Sequence, residues 1–365
     1  MRFEIERAVL SEMLAAAVNM LPSRTTYPVL QNVLVEAANG RFSISGTDLD
    51  TYVRKETAIA GKSEDGKAVL PGRKLAEMCR EVGSEKVLFH SKDTNLHVES
   101  GRNKSVFAGL DPAEFPEMPK TPEVAALEFP VATVVELLEM VSFAVSRDES
   151  RPAMTGVYWE VSKTAMKMVA TDGHRLACIN RKGKYPTTFK AIVSTKFLSF
   201  LPKGQDTIKL YSDPGRVAMK AVDTVVIGRP IEGPYPDYER VLPRKEYPFK
   251  AVLEHETLAA ALRRAAVFAH PVGKLTALGF AKNKLRLHAE TPELGSSEEE
   301  IECEYQGDEI RIGFNAGYLL EILRHLAADK VVMELQNPLS AGLLKPFEKN
   351  PEQEVTFLLM PIRLE

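Results

Sequence analysis

The chain has 365 residues, a formal net charge of −3, 44% hydrophobic residues and three cysteines. That length predicts two or three domains of about 100–200 residues each, and without an apolar run of about 18 residues the sequence argues against a helical membrane span. Three scattered cysteines (Cys79, Cys178, Cys303) give neither a disulfide framework nor a zinc site. The acidic balance argues against holding nucleic acid by bulk charge, so any positive groups must gather on one surface.

Met1-Arg2-Phe3-Glu4-Ile5 alternates like a strand and lacks the apolar core of a signal peptide, which makes the cytoplasm the expected compartment. Leu10, Met13, Leu14, Ala17, Val18 and Leu21 then recur at helical spacing before Pro22. Val33–Ala37 turns at Asn39-Gly40, a strong two-residue hairpin signal, into Phe42-Ser43-Ile44. Gly61-Lys62-Ser63-Glu64-Asp65-Gly66-Lys67 resembles a phosphate loop, but Ala68 stands where Ser or Thr must bind Mg²⁺, so a surface hairpin is expected. A second helix over about 73–82 should bury Leu75, Met78, Cys79 and Val82.

The pattern then repeats. A helix with Val134, Leu137, Leu138 and Val141 follows Pro130, and a hairpin joins Val157–Val161 to Met166–Ala170. A second helix is predicted over 195–201. The third copy has a helix with Leu258, Ala259, Leu262, Ala265 and Ala266, a hairpin from Leu278–Ala281 into Leu285–Ala289, and a helix over 316–326. Glu298-Glu299-Glu300 is expected in a hairpin loop, as a solvated tip. Thr47-Asp48 returns as Thr171-Asp172, and Leu30 as Met154, both 124 positions on. Lys74-Leu75 returns as Lys196-Phe197 and again as Gly317-Tyr318. Such a period is too long for a solenoid unit of about 20–50 residues and implies repeated whole domains. Polar, proline-bearing linkers over 120–129 and 244–249 place the domains at 1–122, 128–245 and 248–365. Runs of strands with two helices per unit and no βαβ alternation indicate an α+β class with antiparallel sheets.

Enzyme signals are weak. His255-Glu256 begins like a zinc-protease helix, yet position 259 is alanine and the second ligand is missing. Asp172-Gly173-His174 offers an acid–base pair without a nucleophile, and a structural turn or binding-surface element explains it better. Cations recur instead on predicted helices: Arg73, Lys74 and Arg80, then Lys196 and Lys203, then Arg263, Arg264 and Arg324. Arg24 follows the first helix, and Arg147 and Arg151 hold the matching place in the second copy. If the copies are related by rotation, these cations line one inner surface suited to phosphates without reading sequence.

Over essentially its whole length the chain resembles the bacterial DNA polymerase III beta subunits, the sliding clamps. The resemblance rests on Pro28-Val29-Leu30-Gln31-Asn32, Gly46-Thr47-Asp48-Leu49, Arg151-Pro152 with Thr155-Gly156-Val157, and Ala170-Thr171-Asp172-Gly173-His174-Arg175-Leu176-Ala177. It extends through Pro236-Asp237-Tyr238, Arg240-Val241-Leu242-Pro243, Gly313-Phe314-Asn315 with Tyr318-Leu319, and Met360-Pro361-Ile362-Arg363-Leu364.

The resemblance implies a non-catalytic processivity factor without a cofactor: a head-to-tail homodimer closing a six-domain ring around duplex DNA, with ATP handled by the clamp loader. The implied dimer contacts are Phe107 against Val267 and Phe268. A pocket for a short Gln- and Leu/Phe-containing segment of the loader, the polymerase and other clients is implied as well. Its lining would be Met154, Thr171, Gly173, His174, Arg175, Leu176, Pro236, Arg240, Val241, Asn315, Tyr318, Ser340, Leu358, Leu359, Met360, Pro361, Ile362 and Arg363. For DNA it implies Arg24, Arg73, Lys74, Arg151 and Lys196, with Pro152-Ala153 standing where some members carry adjacent tyrosines. Glu365 extends one residue past the usual end, a carboxylate expected to disfavour acidic peptides. A clamp-like paralogue that binds peptides without encircling DNA is the alternative.

Overall fold

Asn39 and Gly40 both take positive φ, 51° and 71°, the geometry that lets an Asn-Gly pair match the twist of a hairpin. The computed structural model that shows this describes residues 1–122, 127–202, 206–242 and 247–364. Lys203, Pro243, Arg244 and Glu365, and parts of both expected linkers, lie outside the described residues.

The first copy of the pattern runs β1 (Arg2–Glu6), α1 (Arg7–Met20), β2 (Asn32–Ala38), β3 (Arg41–Thr47), β4 (Thr51–Ala58), β5 (Gly66–Pro71) and α2 (Gly72–Glu81). It closes with β6 (Lys86–Lys92), β7 (Asn95–Ser100) and β8 (Asn103–Phe107). The second has β9 (Leu127–Pro130), α3 (Val131–Val141), β10 (Gly156–Val161), β11 (Ala165–Thr171), β12 (Arg175–Lys182) and β13 (Phe189–Ser194). Then come α4 (Thr195–Leu198), β14 (Thr207–Asp213), β15 (Arg216–Lys220) and β16 (Thr224–Gly228). The third has β17 (Phe249–Glu254), α5 (His255–Ala265), β18 (Leu275–Ala281), β19 (Lys284–Thr291), β20 (Gly295–Glu302) and the short β21 (Glu304–Gln306). It ends with β22 (Ile310–Asn315), α6 (Ala316–His325), β23 (Lys330–Leu335), β24 (Gly342–Pro346) and β25 (Gln353–Leu359).

Every copy uses the same two antiparallel motifs. In one, three meandering strands are followed by a fourth that returns beside the first: β5-β2-β3-β4, β13-β10-β11-β12 and β22-β18-β19-β20. In the other, the opening strand pairs with the first of the closing three: β1-β6-β7-β8, β9-β14-β15-β16 and β17-β23-β24-β25. These sheets join across copies. β16 pairs with β4, placing Gly228 opposite Thr51, and β25 pairs with β12, placing Leu359 opposite Arg175. The products are an eight-stranded and a nine-stranded sheet, the latter including β21 beside β17.

Contacts divide the chain into two compact units, Met1–Ala132 with Lys196–Pro230, and Thr133–Thr195 with Ile231–Glu365. In the first, Phe3, Phe42 and Phe89 form an aromatic centre with ring centroids 4.6, 5.3 and 6.0 Å apart. Leu10, Met13, Leu14 and Ala17 of α1 close over it, fully buried. Their 3.6-residue spacing is what places them on one face. α1 lies so close to β3 that a Cβ on Gly46 would stand 2.6 Å from the Ala17 carbonyl oxygen. In the second unit, Leu258, Ala261, Leu262 and Ala265 of α5 are buried, and Leu319, Ile322 and Leu323 of α6 likewise.

Four local expectations are corrected. The 61–67 segment is exposed but is no hairpin, because β2 and β3 lie between the strands it joins. Glu298-Glu299-Glu300 lies inside β20, opposite His288, Leu287 and Arg286, and not in a loop. The helix expected over 195–201 is four residues of α4 continued by tighter i to i+3 bonds to Leu201, since Pro202 disfavours helix at the residue before it. Met78 is only partly buried.

Candidate functional site

The Thr171-Asp172 turn joining β11 to β12 folds on its own side chains. Thr171 Oγ1 donates to the Arg175 carbonyl at 2.7 Å and accepts from Gly173 N–H at 3.1 Å. Asp172 Oδ1 accepts from the N–H groups of His174 and Arg175 at 2.9 and 3.0 Å. Gly173 takes φ 90°, which glycine reaches without steric cost. The Thr47-Asp48 turn makes the same four bonds: Thr47 Oγ1 with the Thr51 carbonyl and Leu49 N–H, Asp48 Oδ1 with the N–H groups of Asp50 and Thr51. Asp172 is thus committed to structure, as the sequence reading favoured.

A buried cation fixes this turn to the elements around it. Arg175 is 8% exposed. It donates through Nε to Asp172 at 3.1 Å, through Nη1 to Glu321 of α6, and through Nη2 to the Phe143 carbonyl at 2.7 Å. Its guanidinium also lies 5.1 and 4.5 Å from the ring centroids of Phe143 and Tyr318, where cation–π attraction adds to the pairing. Phe143 stacks on His325 at 4.5 Å. Burial, and then the Arg324 charge, hold the His325 imidazole below its ordinary pKa. The corresponding slot in the first unit is filled differently. Lys196 pairs with Asp48 and donates to the Met20 carbonyl at 3.0 Å.

Beside the turn lies an apolar patch on one face of β13, β10, β11, β12, β25 and β24: Tyr158, Val169, Leu176, Cys178, Ile192, Leu343 and Leu358. The segment after Pro230 folds over it, contributing Ile231, Tyr235, Tyr238, Leu242 and Tyr247. Tyr235 donates its hydroxyl to the Val169 carbonyl at 3.3 Å. Burial pushes the Tyr238 phenol and the Cys178 thiol up to about 12, and raises Tyr235 also.

Of the predicted pocket residues, Leu176 and Leu358 lie in this patch, Thr171, Gly173, His174 and Arg175 lie in the turn, and the others lie on other segments. Leu176 and Leu358 are cross-strand partners in its floor. Met154 sits where a Cβ on Gly173 would come within 3.5 Å of its methyl group. Pro236 accepts from Tyr238 N–H, Val241 is 48% exposed, and Arg240 is exposed and paired with Asp237 at 2.6 Å. Met360, 41% exposed, donates its N–H to the His174 carbonyl at 2.8 Å. Ile362 bonds Gly313, and Pro361 and Arg363 follow the same edge. His174 and Tyr318 rings lie 6.3 Å apart, and Asn315 caps α6 by accepting from Tyr318 N–H at 3.1 Å. Ser340 is held by Asn337, next to Ala341 of the patch. Leu359 is fully buried and faces the opposite side of its strand from Leu358. A neighbouring cleft of about 830 Å³ is lined by Phe143, Arg147, Arg151, Asp172, His174, Arg175, Tyr318 and Glu321 among others.

Sequence reasoning missed Tyr158, Tyr235, Tyr238 and Leu343 of the patch, and Phe143 and Glu321 around Arg175. Tyr235 and Tyr238 lay inside or beside a motif already singled out. Phe143 and Glu321 carried no local signal, because only the fold brings them to Arg175.

Among the DNA candidates, Arg24 is exposed and makes no ion pair among the described residues. Lys74 pairs with Glu77, and Arg151 with Asp148 at 2.8 Å. Arg73 donates to the Leu21 carbonyl at 2.9 Å, so it and Lys196 both sit on the carbonyl end of α1 while stabilising it. Of the dimer candidates, Val267 is 65% exposed, while Phe107 and Phe268 are half-buried.

Three copies of this α+β pattern, joined sheet edge to sheet edge, define the sliding-clamp fold. Family models of the DNA polymerase III beta subunit match in order: the N-terminal domain over residues 1–119, the central domain over 128–237 and the C-terminal domain over 239–363. The beta sliding clamps of Haemophilus influenzae and Escherichia coli are each 29% identical to the chain over the full length of both proteins. Solved structures of the DNA polymerase III beta subunit from Pseudomonas aeruginosa and Thermotoga maritima align over all of both chains, with TM-scores of 0.94 and 0.93 at 27% and 25% identity. The chain belongs to the DNA polymerase III beta subunit family.

Proposed function

We propose that this chain is a non-catalytic processivity factor that encircles duplex DNA as a head-to-tail homodimer and tethers the polymerase and other clients through the patch beside Met360. The observation that carries the reading is which sheet edges are left over. The third meander strand of one copy takes the last strand of the next, β4 with β16 and β12 with β25. Among the third meander strands and the last strands, that leaves β20 and β8 without such a partner among the described residues. The same joint between two chains closes after two copies, as a heterologous interface must if it forms a ring. Charge supports it: β20 carries Glu298, Glu299, Glu300 and Glu302, whereas β8 carries Lys104 and follows Arg102. Unpaired edges otherwise invite aggregation.

Its DNA contact is sequence-independent, through Arg24, Arg73, Lys74, Arg151 and Lys196, and topology replaces affinity. The client site is Met154, Gly173, His174, Val241, Tyr318 and Met360 over the Leu176–Leu358 floor, with the remaining residues assigned to the pocket as its second layer. The P. aeruginosa clamp, 27% identical, has been solved bound to griselimycin. Three domains at 1–122, 128–245 and 248–365 and action in the cytoplasm complete the reading; no helix among the described residues is long and apolar enough to cross a membrane.

The test is retention. Protein loaded onto circular DNA should survive gel filtration in high salt and be lost when the circle is cut. Rapid loss from intact circles would sink the topological mechanism. A monomeric mass with peptide binding intact would favour a scaffold that does not encircle DNA.

A further inference from the structure

A run of ring contacts reaches the client site from well outside it. His325, in the last turn of α6, stacks on Phe143 with ring centroids 4.5 Å apart and planes 2° from parallel. The Arg175 guanidinium lies 5.1 Å from the Phe143 ring centroid and 4.5 Å from that of Tyr318. Tyr318 in turn lies 6.3 Å from His174, the planes 26° apart. Of these rings, only Tyr318 and His174 belong to the client site.

The outer links are held by more than packing. In the 3-10 turn Ser142–Ala144, Val145 N–H bonds the Ser142 carbonyl, while the Phe143 carbonyl accepts from Arg175 Nη2 at 2.7 Å. Phe143 thus meets Arg175 with its carbonyl and its ring together. Phe357 of β25 stands 5.9 Å from the same ring. His174, by contrast, is exposed, and its one ring contact among the described residues is with Tyr318.

The first junction shows that holding such a turn needs no rings. There Lys196 binds the Asp48 carboxylate and the Met20 carbonyl, as Arg175 binds Asp172 and the Phe143 carbonyl, and no ring enters that pairing. The rings of the second junction have another task, and their run ends on the client site.

We propose that Phe143 and His325 are positioning residues of the client site. Stacked on each other, they hold the Arg175 guanidinium against Tyr318, so that Tyr318 and His174 stand as a fixed wall for the apolar side chain a client inserts. A wall set before binding loses less freedom when the peptide arrives. The proposal rests on the client-site reading above.

Isothermal titration of the full chain with a Gln-Leu-Ala-Leu-Phe peptide tests it. His325→Leu keeps the bulk and removes the ring, and should weaken binding about threefold, within the range for loss of one aromatic pair. His325→Phe keeps the ring and should restore the affinity of the wild type. A cooperative melt of each variant separates lost positioning from lost fold. Equal affinities in the two variants would overturn the inference while leaving the client site standing. In a Tyr318→Leu background, His325→Leu should change the affinity no further, because the stack acts through Tyr318. A second loss of the same size there would show another route and overturn the inference as well. No binding to the wild type would remove the client-site reading and the inference with it.

Discussion

Arg175 donates to the Phe143 carbonyl at 2.7 Å, and through that bond ties the Thr171-Asp172 turn to the short 3-10 turn Ser142–Ala144 after α3. The same guanidinium holds Asp172 and Glu321. Removing it would leave the partly buried Asp172 carboxylate without its cation. Breaking such a pair costs about 3–5 kcal/mol, and the half-exposed Glu321 brings the expectation to about 3 kcal/mol for Arg175→Ala. The check is the urea midpoint together with peptide affinity, and both should fall. Unchanged values in both would show that the cation neither holds the fold nor shapes the pocket.

Arg24 and Lys196 should separate in their effects. Arg24→Ala ought to weaken direct DNA binding and lower the salt slope by about one, the amount for a single phosphate contact, with the melting temperature unmoved. Lys196→Ala should also lower the melting temperature, because it frees Asp48 and the Met20 carbonyl; the pair is partly exposed, so about 1 kcal/mol is expected. Equal melting temperatures in the two variants would remove the structural role given to Lys196.

Val106 projects from β8 and is 58% exposed on an open edge. Val106→Asp adds an anion facing the acidic β20 of a second copy and should halve the mass seen by light scattering. A dimer that survives this change would place the interface elsewhere.

The patch tyrosines predict an alkaline limb to stability. Burial raises the folded pKa of Tyr238 to about 12, above the ordinary value of about 10. The native state therefore keeps a proton that the unfolded chain releases, so stability is full below about pH 10 and falls as pH rises toward 12. Thermal melts across that range should show the fall, and Tyr238→Phe should flatten it. An identical limb in the variant would assign the effect to other groups.

All three cysteines are free and buried. Burial raises the thiols of Cys79 and Cys303, and pushes Cys178 up to about 12. Since the thiolate is the reactive species, a thiol reagent at about pH 8 should titrate none in the native protein and three after denaturation. One fast-reacting thiol in the native protein would mean the patch opens.

The sequence by itself determined what is local. Apolar spacing in α1 and α5, the Asn39-Gly40 turn and the matched Thr-Asp turns each depend on residues within a few positions, so they were readable in order along the chain. The repeat carried more, because equal spacing of equal turns implies equal folds. What the sequence could not decide is which distant groups meet. Lys196 and Arg175 fill the same slot from different positions, and no local pattern says which. β5 returns beside β2 although a hairpin with β4 was the nearer option, and Glu298–Glu300 lie in an edge strand although their charge suggested a loop. Those outcomes were set by strand pairing between segments far apart in sequence, where backbone hydrogen bonds must be satisfied in whichever sheet buries the apolar face. The tertiary structure alone decided that.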